Sequence, residues 1–119
     1  MVGELIEVIL YVDDMAAGVT FYRDRLGLRI AYPQREDYAA ELWVQFDTGA
    51  CRLCLHGGGS RKQGADAAKI VFRVADIHLT QAELRERGVE LGEVRSPSPG
   101  VLVCDGVDPA GNRFSIEQS

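Results

Sequence analysis

The chain is expected to take an α+β fold made of two tandem β-α-β-β-β units, and three observations in its 119 residues lead there. Val12-Asp13-Asp14-Met15 is answered by Val74-Ala75-Asp76-Ile77, which sets Asp76 62 residues after Asp14. Asp47-Thr48-Gly49 with Arg52-Leu53-Cys54-Leu55-His56 returns 61 residues later as Asp108-Pro109-Ala110 with Arg113-Phe114-Ser115-Ile116-Glu117. Between these, Tyr22-Arg23-Asp24-Arg25-Leu26-Gly27 matches the shorter Leu84-Arg85-Glu86-Arg87-Gly88. A repeat of this length marks a supersecondary unit that cannot bury its own apolar face and packs against its twin. Each half would be marginal alone, so residues 1–119 are read as one domain: unit one about 4–57, a linker over 57–68, and unit two about 69–119.

The elements follow in order. Leu5 to Val12 alternates and reads as a strand. Asp13 or Asp14 offers a helix N-cap, and Met15, Val19, Tyr22 and Leu26 recur at helical spacing as one apolar stripe. Gly27 is placed to end that helix in the left-handed conformation. Strands are then predicted over Leu28 to Tyr32, Glu41 to Asp47 and Cys51 to His56. Unit two is predicted to use Lys69 to Val74, a helix from Asp76 to Arg87, and strands near Leu91 to Val94, Val101 to Cys104 and Arg113 to Glu117. Its helix is less well patterned, since Gln81 stands where the first copy has Val19. Asp108-Pro109-Ala110-Gly111 suits a type I turn. Gly57 to Gly64 is read as a flexible linker, while Pro33 to Ala40 and Ser96 to Gly100 are read as loops.

Composition excludes several partners. A net charge of −5 and no stretch interleaving basic with stacking aromatic residues argue against nucleic acid. No apolar run approaches the roughly 20 residues that span a bilayer, and no secretory signature opens the chain, so a cytoplasmic protein without a membrane partner is expected. The three cysteines do not suggest a disulfide framework. Cys51 and Cys54, three apart on an alternating segment, point to opposite faces and do not share a metal.

The paired units, the string Tyr11-Val12-Asp13-Asp14-Met15 leading to Phe21-Tyr22-Arg23-Asp24-Arg25-Leu26-Gly27-Leu28, and the closing Asp108-Pro109-Ala110-Gly111-Asn112 resemble the vicinal oxygen chelate superfamily. That family includes glyoxalase I, bleomycin-binding proteins and extradiol dioxygenases. The resemblance implies mixed sheets that curl around a ligand-binding cleft.

Alternation assigns the faces. Val8, Leu10 and Val12 cover the helix, which turns Glu7, Ile9 and Tyr11 the other way; Ile70, Phe72 and Val74 likewise leave Lys69, Val71 and Arg73 opposite. Arg52, Cys54 and His56 share the open face of their strand, as do Arg113, Ser115 and Glu117, and Trp43 turns toward the same side. These residues, Glu7 and Tyr11 included, form the expected cleft. The resemblance implies four metal-ligand positions, which fall on Glu7, Cys54, Lys69 and Ser115. Only Glu7 is an ordinary ligand, because Lys69 brings an ammonium without a lone pair and Ser115 a weak neutral oxygen. A rearranged site of Glu7, His56 and Glu117 is the alternative.

The sequence therefore supports a small-molecule-binding protein that needs no cofactor. Arg52, Lys69, Arg73 and Arg113 outnumber Glu7 and Glu117 on the cleft face, which favours a small anion. The alternatives are a lyase, isomerase or dioxygenase with a divalent metal on the rearranged set, and a protein used mainly for assembly. No catalytic residue stands out. A homodimer is expected, since exposed first-strand edges invite pairing.

Overall fold

Four short segments in the first half of the chain become one sheet: β1 (Glu7–Tyr11), β2 (Arg29–Tyr32), β3 (Trp43–Asp47) and β4 (Arg52–His56). Their order is β1-β4-β3-β2, with β1 parallel to β4 and the other neighbours antiparallel. The second half gives β5 (Lys69–Arg73), β6 (Arg95–Ser98), β7 (Val101–Val107) and β8 (Arg113–Gln118), ordered β5-β8-β7-β6 with the same directions. Parallel neighbours need a crossover, and each half supplies one that includes a helix. The computed structural model describes Met1, residues 4–60, Gly64 and residues 66–119, divided between the units Met1–Arg61 and Lys62–Ser119. The fold is α+β, and the described residues form two four-stranded mixed sheets and two helical segments. Among the described residues no helix is long and apolar enough to cross a membrane.

Both helices start on an aspartate. The Asp14 carboxylate accepts from Ala17 N at 3.0 Å to open α1 (Met15–Val19), and that of Asp76 accepts from Leu79 N at 3.1 Å to open α2 (Ile77–Glu86). Beyond α1 the chain widens into a π-helical turn over Thr20–Arg25, in which Leu26 N donates to Phe21 O at 2.9 Å. With more residues per turn, consecutive side chains diverge less in direction. Phe21 joins Tyr22 in the core, both buried and meeting edge to face at 5.0 Å, while the expected stripe residue Leu26 is only half-buried. Gly18 seats this helix on the sheet, since a Cβ there would stand 3.0 Å from Leu55 Cδ1. In α2, Gln81 is not a core residue; its amide donates to Gly92 O at 2.8 Å and ties the helix to the segment before β6.

The apolar core of each unit lies between helix and sheet. Val44, Phe46, Leu53 and Leu55 are buried together with Met15, Val19 and Tyr22 in the first, where Tyr22 and Phe46 lie with ring centroids 5.8 Å apart; Phe114, Ile116, Cys104, Ile77 and Leu84 are buried in the second. The strand predicted near Leu91 to Val94 is not there. Leu91 keeps an isolated bridge to Gly106, and β6 forms instead at Arg95–Ser98, in the segment read as a loop. All four of its residues are exposed and it includes Pro97, so it lacks an apolar rhythm; an edge strand tolerates both.

The start of the expected linker is held rather than loose. Gly57 N donates to Leu42 O and Gly59 N to Val12 O, both at 2.9 Å, and a Cβ on Gly59 would come within 3.0 Å of the Val12 nitrogen. Arg61, Lys62, Gln63 and Ala65 of that linker lie outside the described residues. The turn before β8 closes with Gly111 N donating to Asp108 O at 3.0 Å, while buried Asp108 accepts from Ala110 N and Asn112 N through Oδ1.

Candidate ligand-binding faces

On the first sheet the face away from the helix carries Glu7, Ile9 and Tyr11 from β1, Arg52, Cys54 and His56 from β4, and Trp43 and Gln45 from β3. Register pairs Glu7 with Arg52, and their side chains form an ion pair at 3.2 Å. At the other end of the strands Tyr11 and His56 lie with ring centroids 5.1 Å apart, and Trp43 meets His56 edge-on at 6.0 Å. Trp43 Nε1 donates to Gln45 Oε1 at 2.9 Å, which fixes the indole. His56 Nδ1 lies 2.6 Å from Gly57 O; a carbonyl only accepts, so Nδ1 is the donor in this contact. Cys54 is fully buried between these rows, and burial, then the Glu7 charge, push its thiol pKa up. It is therefore a protonated packing group at neutral pH. All three cysteines are free.

The second sheet presents Lys69, Val71 and Arg73 from β5, Arg113, Ser115 and Glu117 from β8, and Val103, Asp105 and Val107 from β7. Asp105 is the centre of this face. One carboxylate oxygen accepts from the Ser115 hydroxyl and from Lys69 Nζ at 3.3 Å, the other from Arg95 Nη1 at 2.6 Å. Partial burial works to raise its pKa, but Ser115, Arg95 and Lys69 outweigh it and hold the carboxylate at about 2. Arg73 stands opposite Glu117 in register, and Arg113 opposite Lys69.

Sequence reasoning missed Asp105 and Arg95. The sequence pattern ends this strand at Cys104, yet carrying the alternation of Val101 and Val103 one step further puts Asp105 on the open face. Arg95 was lost with the misplaced β6. These two additions leave the second face with four cations, Lys69, Arg73, Arg95 and Arg113, against Asp105 and Glu117. On the first face Arg52 faces Glu7, so the basic excess belongs to the second face.

The donor chemistry does not fit a divalent metal. Of the four expected ligand positions, Glu7 is engaged by Arg52, Cys54 holds its proton, Lys69 is an ammonium and Ser115 donates to Asp105. The rearranged set fares no better. Glu7 pairs with Arg52 and His56 with Tyr11, so Glu7 and His56 stand four residues apart along parallel strands, roughly 13 Å at about 3.3 Å per residue. One ion cannot bridge them. Among the described residues no group of three His, Cys, Asp or Glu side chains is arranged to hold a metal.

Two helix-backed mixed sheets with open polar faces place the chain among the glyoxalase-like folds. It belongs to the Glyoxalase/Bleomycin resistance protein/Dioxygenase superfamily, whose family model matches residues 4–116. The fold is similar to that of lactoylglutathione lyase from Agrobacterium tumefaciens, at 22% identity and a TM-score of 0.76, covering 98% of this chain and 93% of that one. An antibiotic-binding protein from a Streptomyces species is 21% identical with a TM-score of 0.74, over 98% of this chain and 96% of the other. A glyoxalase family protein from Enterococcus faecalis is 19% identical with a TM-score of 0.79, over 96% of each chain. At these identities the likeness is one of fold. No curated protein matches the chain by sequence.

Proposed function

We propose that the protein binds a small anionic molecule on the open face of its second sheet and does so without a metal ion. The carrying observation is the Lys69 ammonium, 3.3 Å from Asp105 at a position where the superfamily's metal enzymes are expected to place a ligand. Asp105 is shared between Lys69 and Arg95, so the cluster keeps a positive charge beyond its own carboxylate. With Arg73 and Arg113 alongside, an incoming anion gains from the summed field. On the first sheet, Tyr11, Trp43 and His56 gather at one end of the face, an aromatic surface suited to apolar or aromatic groups. The antibiotic-binding neighbour supports binding as the role of this fold here. Each sheet ends on its first strand, β1 or β5, and such edges support a homodimer; light scattering should give twice the chain mass.

Screening small carboxylates and phosphates by thermal shift, then titrating the strongest binder against Lys69→Met, tests the reading. The substitution keeps side-chain length and removes the charge, and should cost about 1.5–3 kcal/mol of binding, as for a hydrogen bond to a charged group. Unchanged affinity sinks the anion assignment. Elemental analysis should find metal well below one equivalent; a stoichiometric metal that Glu7→Gln releases would install catalysis in its place.

A further inference from the structure

The first unit has a cavity of about 560 Å³ at the β2 edge of its sheet, between the end of the π-helical turn and the loop after β2. Arg23, Arg29 and Arg35 line it, together with Leu28, Gln34 and Tyr38. Arg29 pairs in register with Asp47, on the same side of β3 as Trp43 and Gln45, so the cavity borders the rim of that open face. We propose that this cavity binds a phosphate-bearing small molecule, the phosphate held by the three guanidinium groups.

The wall is built rather than incidental. Tyr38 is buried; its hydroxyl donates to Pro33 O at 2.8 Å and accepts from Arg35 N at 3.0 Å, which pins the loop. The Arg23 guanidinium lies over the Tyr38 ring, 5.8 Å from its centroid. Gln34 fastens the loop to β2 by donating to Ile30 O at 3.0 Å. The arginines are thus carried by three different segments that converge on one space.

Each arginine has a carboxylate mate, and none of the three mates lines the cavity: Asp24 at 2.7 Å, Asp47 at 3.0 Å and Glu41 at 2.9 Å. Arg23 is forked by Asp24 through Nε and Nη2, which leaves Nη1, and the other two pairs leave donors over. Arg29 commits only Nη2, and Arg35 commits Nε to Glu41 and Nη1 to Gln34 O. The Arg29 side chain is 83% exposed, and an exposed ion pair contributes little, so a ligand displaces the Arg29–Asp47 pair cheaply. Phosphate matches better than a monocarboxylate. It presents two negative charges and three oxygens to planar donor forks, whereas a carboxylate satisfies one fork.

Inorganic pyrophosphate is a suitable probe, titrated calorimetrically at low ionic strength with acetate as control. Saturable binding is expected, with acetate weaker, and Arg29→Gln or Arg35→Gln should each weaken pyrophosphate at least about tenfold. Arg87→Gln, at the end of α2 and outside both the cavity lining and the open faces, should leave this affinity unchanged, which separates the cavity from general surface charge. The exposed Arg29 can be replaced without disturbing the core, and an unchanged melting temperature checks that. Affinity that survives Arg29→Gln and Arg35→Gln together, that matches acetate, or that disappears with Arg87→Gln overturns the proposal.

Discussion

The two open sheet faces share strand order and register but carry opposite chemistry. Gln45 stands beside Cys54 in the first sheet where Asp105 stands beside Ser115 in the second. Trp43 and His56 correspond to Val103 and Glu117, Tyr11 to Arg73, and Glu7 to Lys69. One face is a largely neutral aromatic surface and the other a charged network around one carboxylate. The helix-facing sides differ as instructively. Phe46 pairs with Leu53 in the first unit, Gly106 with Phe114 in the second, so the large ring has changed strands. Alternation sets which way a residue points; its identity sets what the surface does.

The exchanged ring gives the largest expected effect. Phe114 is fully buried and its ring covers Gly106, where an added Cβ would come within 2.7 Å of Phe114 Cζ. Phe114→Ala should cost about 3–5 kcal/mol in urea unfolding, because no side chain on Gly106 fills the void. Gly106→Ala should destabilise the intact protein by about 1–3 kcal/mol through overpacking. In the Phe114→Ala background the same change should cost less, since the ring is gone, while Glu90 O, 3.1 Å away, still crowds the new methyl. Additive costs would mean that ring and glycine are not coupled.

Much of this architecture was legible in the sequence because alternation and capping are local signals. A cap at Asp13 or Asp14, a helix start near Asp76 and the β1, β4, β5 and β8 rows needed no tertiary information. The π-helical turn was invisible, as nothing local distinguishes burying Phe21 with Tyr22 from burying Leu26. β6 was invisible for a different reason: an exposed edge strand has no core to write a pattern into it. Site residues followed the same division. Glu7, Tyr11, Trp43, Arg52, Cys54, His56, Lys69, Arg73, Arg113, Ser115 and Glu117 could be assigned to faces, but the partners of Lys69 could not. That required Asp105, and Asp105 required the full length of β7.

Charge is the next difference to break. Asp105 has a folded pKa of about 2 against an ordinary 3.8. A depressed folded pKa contributes stability that is present above the unfolded value and lost as pH falls through the folded one. The window is therefore from about pH 4 down to about pH 2. Asp105→Asn keeps the shape and a carbonyl acceptor for Ser115. Its side chain is 38% exposed, so solvent screening discounts the shift and the expected loss at pH 6 is about 1 kcal/mol. The gap between wild type and Asp105→Asn in urea should narrow from pH 5 to pH 2.5. Gln45→Glu places a carboxylate at the corresponding position without a lysine partner on β1 and should not produce that protection. A gap that is flat with pH would assign the effect of Asp105→Asn to shape.

The helix caps should give the smallest and most even effect. Asp14 and Asp76 each accept one backbone N–H from three residues on, at 3.0 and 3.1 Å, and both have extended backbone at the cap. A cap bond is local, satisfying a donor that the helix leaves over, so Asp14→Ala and Asp76→Ala should each cost about 1 kcal/mol. Asparagine should recover most of it in either position, since the amide oxygen accepts the same bond. The helices behind the caps differ, however: α2 runs ten residues, while α1 runs five before passing into the π-helical turn. Equal losses would show that the widened turn is held by Phe21 and Tyr22 in the core. A loss at Asp14 well above that at Asp76, not recovered by Asp14→Asn, would show that the turn depends on how the helix is started.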